Sequence, residues 1–325
     1  MKKNIYILSA LLLCLACSKQ QKPQVLQAAD FNADSAYLYV AQQVAFGPRV
    51  PATMAHYDCA RFLQARLEEF GASVRVEQGQ MTDYKGEQQQ VYNIIASYNS
   101  AASQRVLLCA HWDTRPWADQ EEEYDNRMRP IAGADDGASG VGVLLEIARQ
   151  LGRRDSLPVG VDLIFFDCED MGTPVFYTGK QSQDSWCLGS QMWADNYKNF
   201  LQVLYAGKTY KYGILLDMVG ATDALFPREY YSMQYAQNYV EKVWRTAQRL
   251  GYGSMFVDKV CYPITDDHYY VNTVAGIPCI DIIHYDPDSE TGFAHYWHTS
   301  QDDMRNISRE TLKAVGEVVL TTILN

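Results

Sequence analysis

Val106-Leu107-Leu108-Cys109-Ala110 is an unbroken apolar run that ends on His111-Trp112-Asp113. Five consecutive apolar residues stopped by polar ones fit a strand buried on both faces, as in a parallel sheet. The pattern recurs at residues 161–166, which run into Asp167-Cys168-Glu169-Asp170, and at 212–218, which carries Asp217 near its end. Between the first two lies Gly133-Ala134-Asp135-Asp136-Gly137-Ala138-Ser139-Gly140. Helical spacing follows over 140–151, with Val143, Leu144 and Ile147 on one face. Strand, helix and returning strand make a crossover unit, which places a parallel sheet at the centre of the fold.

Outward from this centre the alternation continues. Helical spacing is predicted over 34–44 and over 53–70, where Tyr57, Phe62, Leu63 and Leu67 share a face before Gly71. Short strands are predicted at 74–77, 91–98 and 277–283, and further helices at 190–199, 234–250 and 308–323. No repeat or low-complexity linker divides the chain. The expected class is therefore α/β: one globular domain over 31–325, with a central mixed, mostly parallel β-sheet flanked by helices on both faces.

The N-terminus stands apart from that domain. Met1-Lys2-Lys3 forms a basic head, and Ile5 to Leu15 is an apolar run shorter than the roughly 20 residues a membrane helix needs. Residues 1–16 therefore read as an export signal. Cys14-Leu15-Ala16-Cys17-Ser18 resembles a bacterial lipoprotein cleavage box, in which Cys17 becomes the lipid-bearing first residue; an ordinary signal-peptidase site near Ala16 is the other reading. Polar residues over 17–30 then form a flexible tether. The chain is expected in the periplasm or at the outer membrane, with membrane contact only through a lipid anchor on Cys17.

Composition narrows the partners. The net charge is −11 across 325 residues, and 47% of them are hydrophobic. That apolar content excludes bulk disorder, and the acidity argues against nucleic acid as a partner, since phosphate binding needs clustered Lys and Arg. Six cysteines beyond the leader, Cys59, Cys109, Cys168, Cys187, Cys261 and Cys279, are spread singly and read mostly as buried apolar side chains, with no disulfide pair selected.

In an open α/β sheet, functional groups collect where strands end. His111, the Asp135-Asp136 pair, Glu169-Asp170, Asp217 and the Trp297-His298-Thr299 loop form such a series. Imidazole nitrogen and carboxylate oxygen suit zinc, and a catalytic site keeps one position open. Singly, Asp135-Asp136 would serve as a helix cap, Glu169-Asp170 as a solvated turn and His111 as a hydrogen-bonded residue. Five such clusters in one ordered series point instead to a shared centre.

These motifs resemble the zinc-dependent M28 peptidase family and, within it, the glutaminyl cyclases (glutaminyl-peptide cyclotransferases). The likeness spans about residues 40–325 and includes Leu163-Ile164-Phe165-Phe166-Asp167, Leu215-Leu216-Asp217-Met218-Val219-Gly220-Ala221, Phe226-Pro227, Asp266-Asp267-His268, Gly276-Ile277-Pro278 and Trp297-His298-Thr299. It implies that Asp136, Asp170 and His298 hold zinc, that Glu169 is the general acid and base, and that Asp217 and Asp266 are its hydrogen-bonding carboxylate partners. Trp297 would wall the pocket for a glutamine side chain. His111 would be either a second-metal ligand or a hydrogen-bonding group, so one zinc is expected and a second stays open. The likeness departs at Asp170, where the animal cyclases and the aminopeptidases carry Glu, and leaves Trp186 open between pocket and core. The implied reaction converts the N-terminal glutamine of peptides or proteins to pyroglutamate with release of ammonia. A two-zinc M28 aminopeptidase and an inactive peptide-binding lipoprotein are the alternatives.

Overall fold

The computed structural model describes residues 26–180, 183–201 and 207–325. The leader and most of the tether expected from the sequence lie outside these residues. Six strands, β1 (Ser73–Thr82), β2 (Gln88–Tyr98), β3 (Gln104–His111), β4 (Gly160–Phe166), β5 (Thr209–Asp217) and β8 (Cys279–Ile283), form one sheet in the order β1-β2-β4-β3-β5-β8. The β4-β3-β5-β8 half is parallel, while β1 and β2 are antiparallel to their neighbours. The mixed, mostly parallel expectation holds.

Alternation along β3 shows why both faces need cover. Val106, Leu108 and Ala110 enter one core cluster, which also takes Val40 of α1 (Ala33–Val44), Leu63 of α2 (Met54–Glu69) and Leu144 of α3 (Ala138–Gly152). The same cluster holds Val240 of α5 (Tyr230–Leu250) and Leu312 of α7 (Arg309–Leu324). Leu107 and Cys109 point the other way, toward Trp193 of α4 (Leu188–Asn196) and Val271 of α6 (Asp267–Thr273). Side chains two apart on a strand share a face, so one continuous apolar run feeds two helical layers.

The differences from expectation have physical reasons. β1 runs ten residues rather than four, because it is an edge strand whose side chains are all at least partly exposed and so lack an apolar signature. α5 starts at Tyr230 rather than near Gln234, because the Glu229 side chain accepts the Tyr231 and Ser232 amides as its N-cap. The small pair β6 (Phe226–Arg228) and β7 (Phe256–Val260), and the seven-residue α6, are too short to show a period. All six cysteines of the described residues are buried free thiols, in line with their apolar reading.

Candidate metal centre and catalytic pocket

Three parallel strands deliver their last residues to one place. His111 closes β3, Asp217 closes β5, and Glu169-Asp170 leave β4 after a left-handed turn at Cys168 (φ 55°). Asp136 arrives from the segment before α3, and His298 from the loop after β8. Ligand atoms of Asp136, Asp170 and His298 lie within 4.8 Å of one another, as do those of His111, Asp136 and Asp217. Asp136 belongs to both groups. Its Oδ1 is 2.9 Å from His111 Nε2 and its Oδ2 is 3.4 Å from His298 Nε2. His298 Nε2 is 3.2 Å from Asp170 Oδ1, so the shorter Asp side chain reaches the cluster.

The bland readings of these acids do not survive. The N-cap of α3 is Gly137 (φ 91°) with no side-chain capping bond, so Asp135 and Asp136 do not cap it. A Cβ at Gly137 would lie 2.6 Å from the Asp113 carbonyl and 3.1 Å from the His111 ring, so only glycine allows this approach. Glu169-Asp170 is no solvated turn either, since Asp170 is 1% exposed.

Two buried carboxylates hold the ligand-bearing loops. Asp113 accepts the amides of Glu169 (3.1 Å) and Asp170 (3.2 Å). Asp302 does the same for Asp135 (2.8 Å) and Asp136 (3.1 Å). Asp135 itself accepts from the Gly220 amide and the Tyr296 hydroxyl, tying α3 to the β5 exit and the His298 loop. Asp119 sits 3.5 Å from His298 Nδ1 and takes a two-point contact from Arg115, whose Nη1 also reaches the Asp170 carbonyl. A carboxylate behind a metal-binding imidazole sets its tautomer and orientation. In the sequence Asp113 stands just after His111-Trp112 with no assigned role, and Asp119, Asp302 and Tyr296 carry no motif. Their contacts span up to 167 residues of chain, so no local pattern marks them.

The remaining candidates fall around an 840 Å³ cavity that reaches Asp136, Glu169, Asp217, Asp266, Trp297 and His298. Trp186 lines it too while also packing against the second core cluster, so it serves both the pocket and the core. The His298 ring stacks with Trp297 (centroids 3.7 Å) and with Trp186 (5.9 Å). The hydrogen bond on the Glu169 carboxyl differs from expectation. It comes from the Cys187 thiol at 3.1 Å, while Asp266 stands within 4.8 Å of both groups and Asp217 turns to His111 at 3.3 Å.

Electrostatics follow from crowding acids in a dry place. Burial pushes the Glu169 carboxyl well above the usual range; His111 opposes this, and Asp266 and Asp170 add to it. Burial, then the Asp217 charge, raises Asp266 to about 7. Burial works against charge on His298, yet Asp170, Asp119 and Asp136 together raise its pKa to about 10. His111 is raised likewise, against its burial, by Asp113, Asp136 and Asp217. Carboxylates that draw two buried imidazoles toward protonation are asking for positive charge, and a divalent cation supplies it. The donor geometry fits this. Both His111 nitrogens, Asp170 Oδ2 and Asp217 Oδ1 are buried without an aligned hydrogen-bond partner. Close contact without hydrogen-bond alignment is what convergence on a shared ion requires.

Comparison with known proteins places this architecture. The model of peptidase family M28 matches residues 93–323. The chain belongs to peptidase family M28. Among solved members, a glutaminyl cyclase from Tannerella forsythia is 51% identical, with 91% of this chain and 99% of that one covered at a TM-score of 0.87. A Zn-dependent exopeptidase from Parabacteroides distasonis is 52% identical, with 92% and 100% covered at 0.87. The glutaminyl-peptide cyclotransferase of Bothrops jararaca is 25% identical over 300 residues, 85% of this chain and 77% of that protein. M28 membership, the zinc-dependent neighbour and the clustered ligand atoms together point to zinc as the metal.

Proposed function

We propose that this M28 member is a glutaminyl-peptide cyclotransferase acting on peptides and proteins with N-terminal glutamine. The observation that carries the reading is Glu169: a buried carboxyl with a strongly raised pKa, beside the Asp136-Asp170-His298 group and on the wall of a cavity open to a peptide end. The likeness to glutaminyl cyclases supports it.

A zinc ion on Asp136, Asp170 and His298 supplies Lewis-acid polarisation of the glutamine side-chain carbonyl when bound. The chain's own groups do the rest. Glu169 accepts one proton from the substrate's neutral α-amine as its nitrogen bonds to the side-chain amide carbon. The same carboxyl returns that proton to the departing amide nitrogen, which leaves as ammonia, so no proton is gained or lost overall. A raised pKa suits a group that must both take and give. Asp266, held near neutrality at about 7, keeps a proton close to Glu169 without a second full charge. Trp297 and Trp186 fix the His298 ring and narrow the approach, and Asp113 sets the Glu169 backbone. Ring closure is intramolecular, so orientation contributes much of the rate.

One observation favours a second reading. His111, Asp136 and Asp217 form a second three-ligand group, as a two-zinc aminopeptidase requires. The test runs a glutaminyl and a leucyl peptide side by side, with mass, ammonia and zinc per chain measured. Loss of one ammonia from the glutaminyl peptide is expected; release of free leucine with two zincs per chain would refute cyclisation. Export and a lipid on Cys17 belong to the same proposal, and rest on the leader alone.

A further inference from the structure

From the Cys187 contacts we infer that this thiol positions the Glu169 carboxyl for proton transfer. This rests on the cyclase reading for its kinetic consequence but on geometry for its substance. Cys187 occupies the N-cap of α4 with φ 57° and ψ 36°, a left-handed conformation that suits Gly or Asn. Its side chain makes no capping bond to the helix it precedes, so local helix chemistry does not explain it. The thiol instead donates to Glu169 Oε1 at 3.1 Å in a buried contact.

The backbone around that contact is pinned on both sides. Cys187 N–H donates to the Glu169 carbonyl (2.9 Å), and Leu188 N–H to the Cys168 carbonyl (3.1 Å), so the start of α4 is zipped to the exit of β4. Gly189 makes this approach possible, because a Cβ there would sit 2.2 Å from the Asp167 carbonyl. Asn93 locks the seam by donating to the Gly189 carbonyl and accepting the Asp167 amide. Cys187 thus grips Glu169 at main chain and side chain together, while Asp113 holds the Glu169 amide from the other side.

Thiol chemistry suits the task. Burial, then the nearby Glu169 charge, pushes the Cys187 thiol well up, so it stays protonated and a donor. An S–H is a weak donor, so it orients the carboxyl while leaving it basic. A charged donor would hold the carboxylate ionised and blunt its uptake of a proton.

The test compares Cys187→Ala, Cys187→Gly and Cys187→Ser with the parent chain. The Ala and Gly variants are expected to lose about ten-fold in kcat, with KM for a glutaminyl peptide within about two-fold and zinc content unchanged. The Ser variant recovers most of the loss, and the Gly variant melts no lower than the Ala variant because it relieves the left-handed backbone. Parental kcat in the Ala or Gly variant overturns the inference. So does a Ser variant as impaired as Ala with a matching fall in Tm, which marks a packing role. The S–H infrared band, isolated as the parent-minus-Cys187→Ser difference, reads the contact without turnover. It should move to higher frequency in Glu169→Gln, and an unmoved band sinks the inference. A parent that releases no ammonia refutes the cyclase reading instead, and leaves the band to decide this one.

Discussion

Asp113→Asn probes the support beneath both Glu169 and Asp170. The wild-type carboxylate is fully buried and accepts one amide on each oxygen, at 3.1 and 3.2 Å. Asn keeps the shape but turns one oxygen into a donor, which leaves one of the two amides facing another N–H. A buried amide without a partner costs about 1–3 kcal/mol, which for a domain of this size lowers Tm by about 2–5 °C. Turnover should fall further than stability. The freed amide belongs to Glu169 or Asp170, and a displacement of about 1 Å at a reacting group costs on the order of 100-fold. Scanning calorimetry and initial rates on a glutaminyl peptide, with zinc per chain recorded, measure both effects. A variant with Tm within about one degree of the parent and kcat within about two-fold would show that Asp113 does not set the β4 exit.

Glu169→Gln keeps the shape and the zinc but should lower kcat by at least about 100-fold; metal analysis of the purified variant separates base loss from metal loss. Asp170→Ala should release zinc, and a chelator should silence the parent until zinc is returned, both followed by ammonia release. Despite burial, His268 and the Ser232 and Tyr231 amides hold the Glu229 carboxyl below its ordinary 4.5. A carboxyl lowered by folding stabilises the fold above its unfolded value, and that contribution is lost as pH falls through the folded one. The Tm gap between the parent and Glu229→Gln should therefore be wide at pH 7 and shrink below about pH 4.5; a gap independent of pH would show that the charge is not what Glu229 contributes. Cys17→Ser in the full chain should move the protein from the membrane fraction to the soluble exported fraction, and continued membrane association would refute the lipid anchor.

The sheet was legible because burial on both faces leaves unbroken apolar runs such as 106–110, and crossover geometry does the rest. The residues now clustered as ligands were legible for a related reason, since strand ends are where such a sheet presents its chemistry. The supports were not. Asp302 holds Asp135 and Asp136 from 166 or more residues away, and Tyr296 reaches Asp135 across 161. A single acid or tyrosine in a loop carries no period and no motif. Cys187 has the single, spread placing of a buried apolar cysteine, and it is buried, but its bond to Glu169 depends on how α4 docks.

Backbone strain shows why the site could only be completed by tertiary structure. Among the described residues, seven non-glycine positions have positive φ, and four of them, Cys168, Cys187, Met218 and His298, are at the centre or next to it. Cys168 precedes Glu169, Met218 follows Asp217, Cys187 grips Glu169, and His298 is itself in the metal group. Each such conformation costs on the order of 1 kcal/mol or more in a non-glycine residue, so local propensity opposes all four. They persist because the chain around them is fastened by long-range bonds: Cys168 by the Leu188 amide, Cys187 to the Glu169 carbonyl, the His298 carbonyl to the Gln120 amide, and the Val219 amide after Met218 to the Ser139 hydroxyl. A turn that bends the chain back at a strand end is what aims the next side chain into the pocket rather than along the sheet. Replacing Cys168 with Gly relieves the left-handed turn but deletes a thiol that is fully buried beside Val91 and Leu188 and donates to the Gln90 carbonyl, so Tm should not rise, while the loosened turn should slow turnover through Glu169. A Gly variant with parental kcat would show that the left-handed turn is incidental to the aim of Glu169.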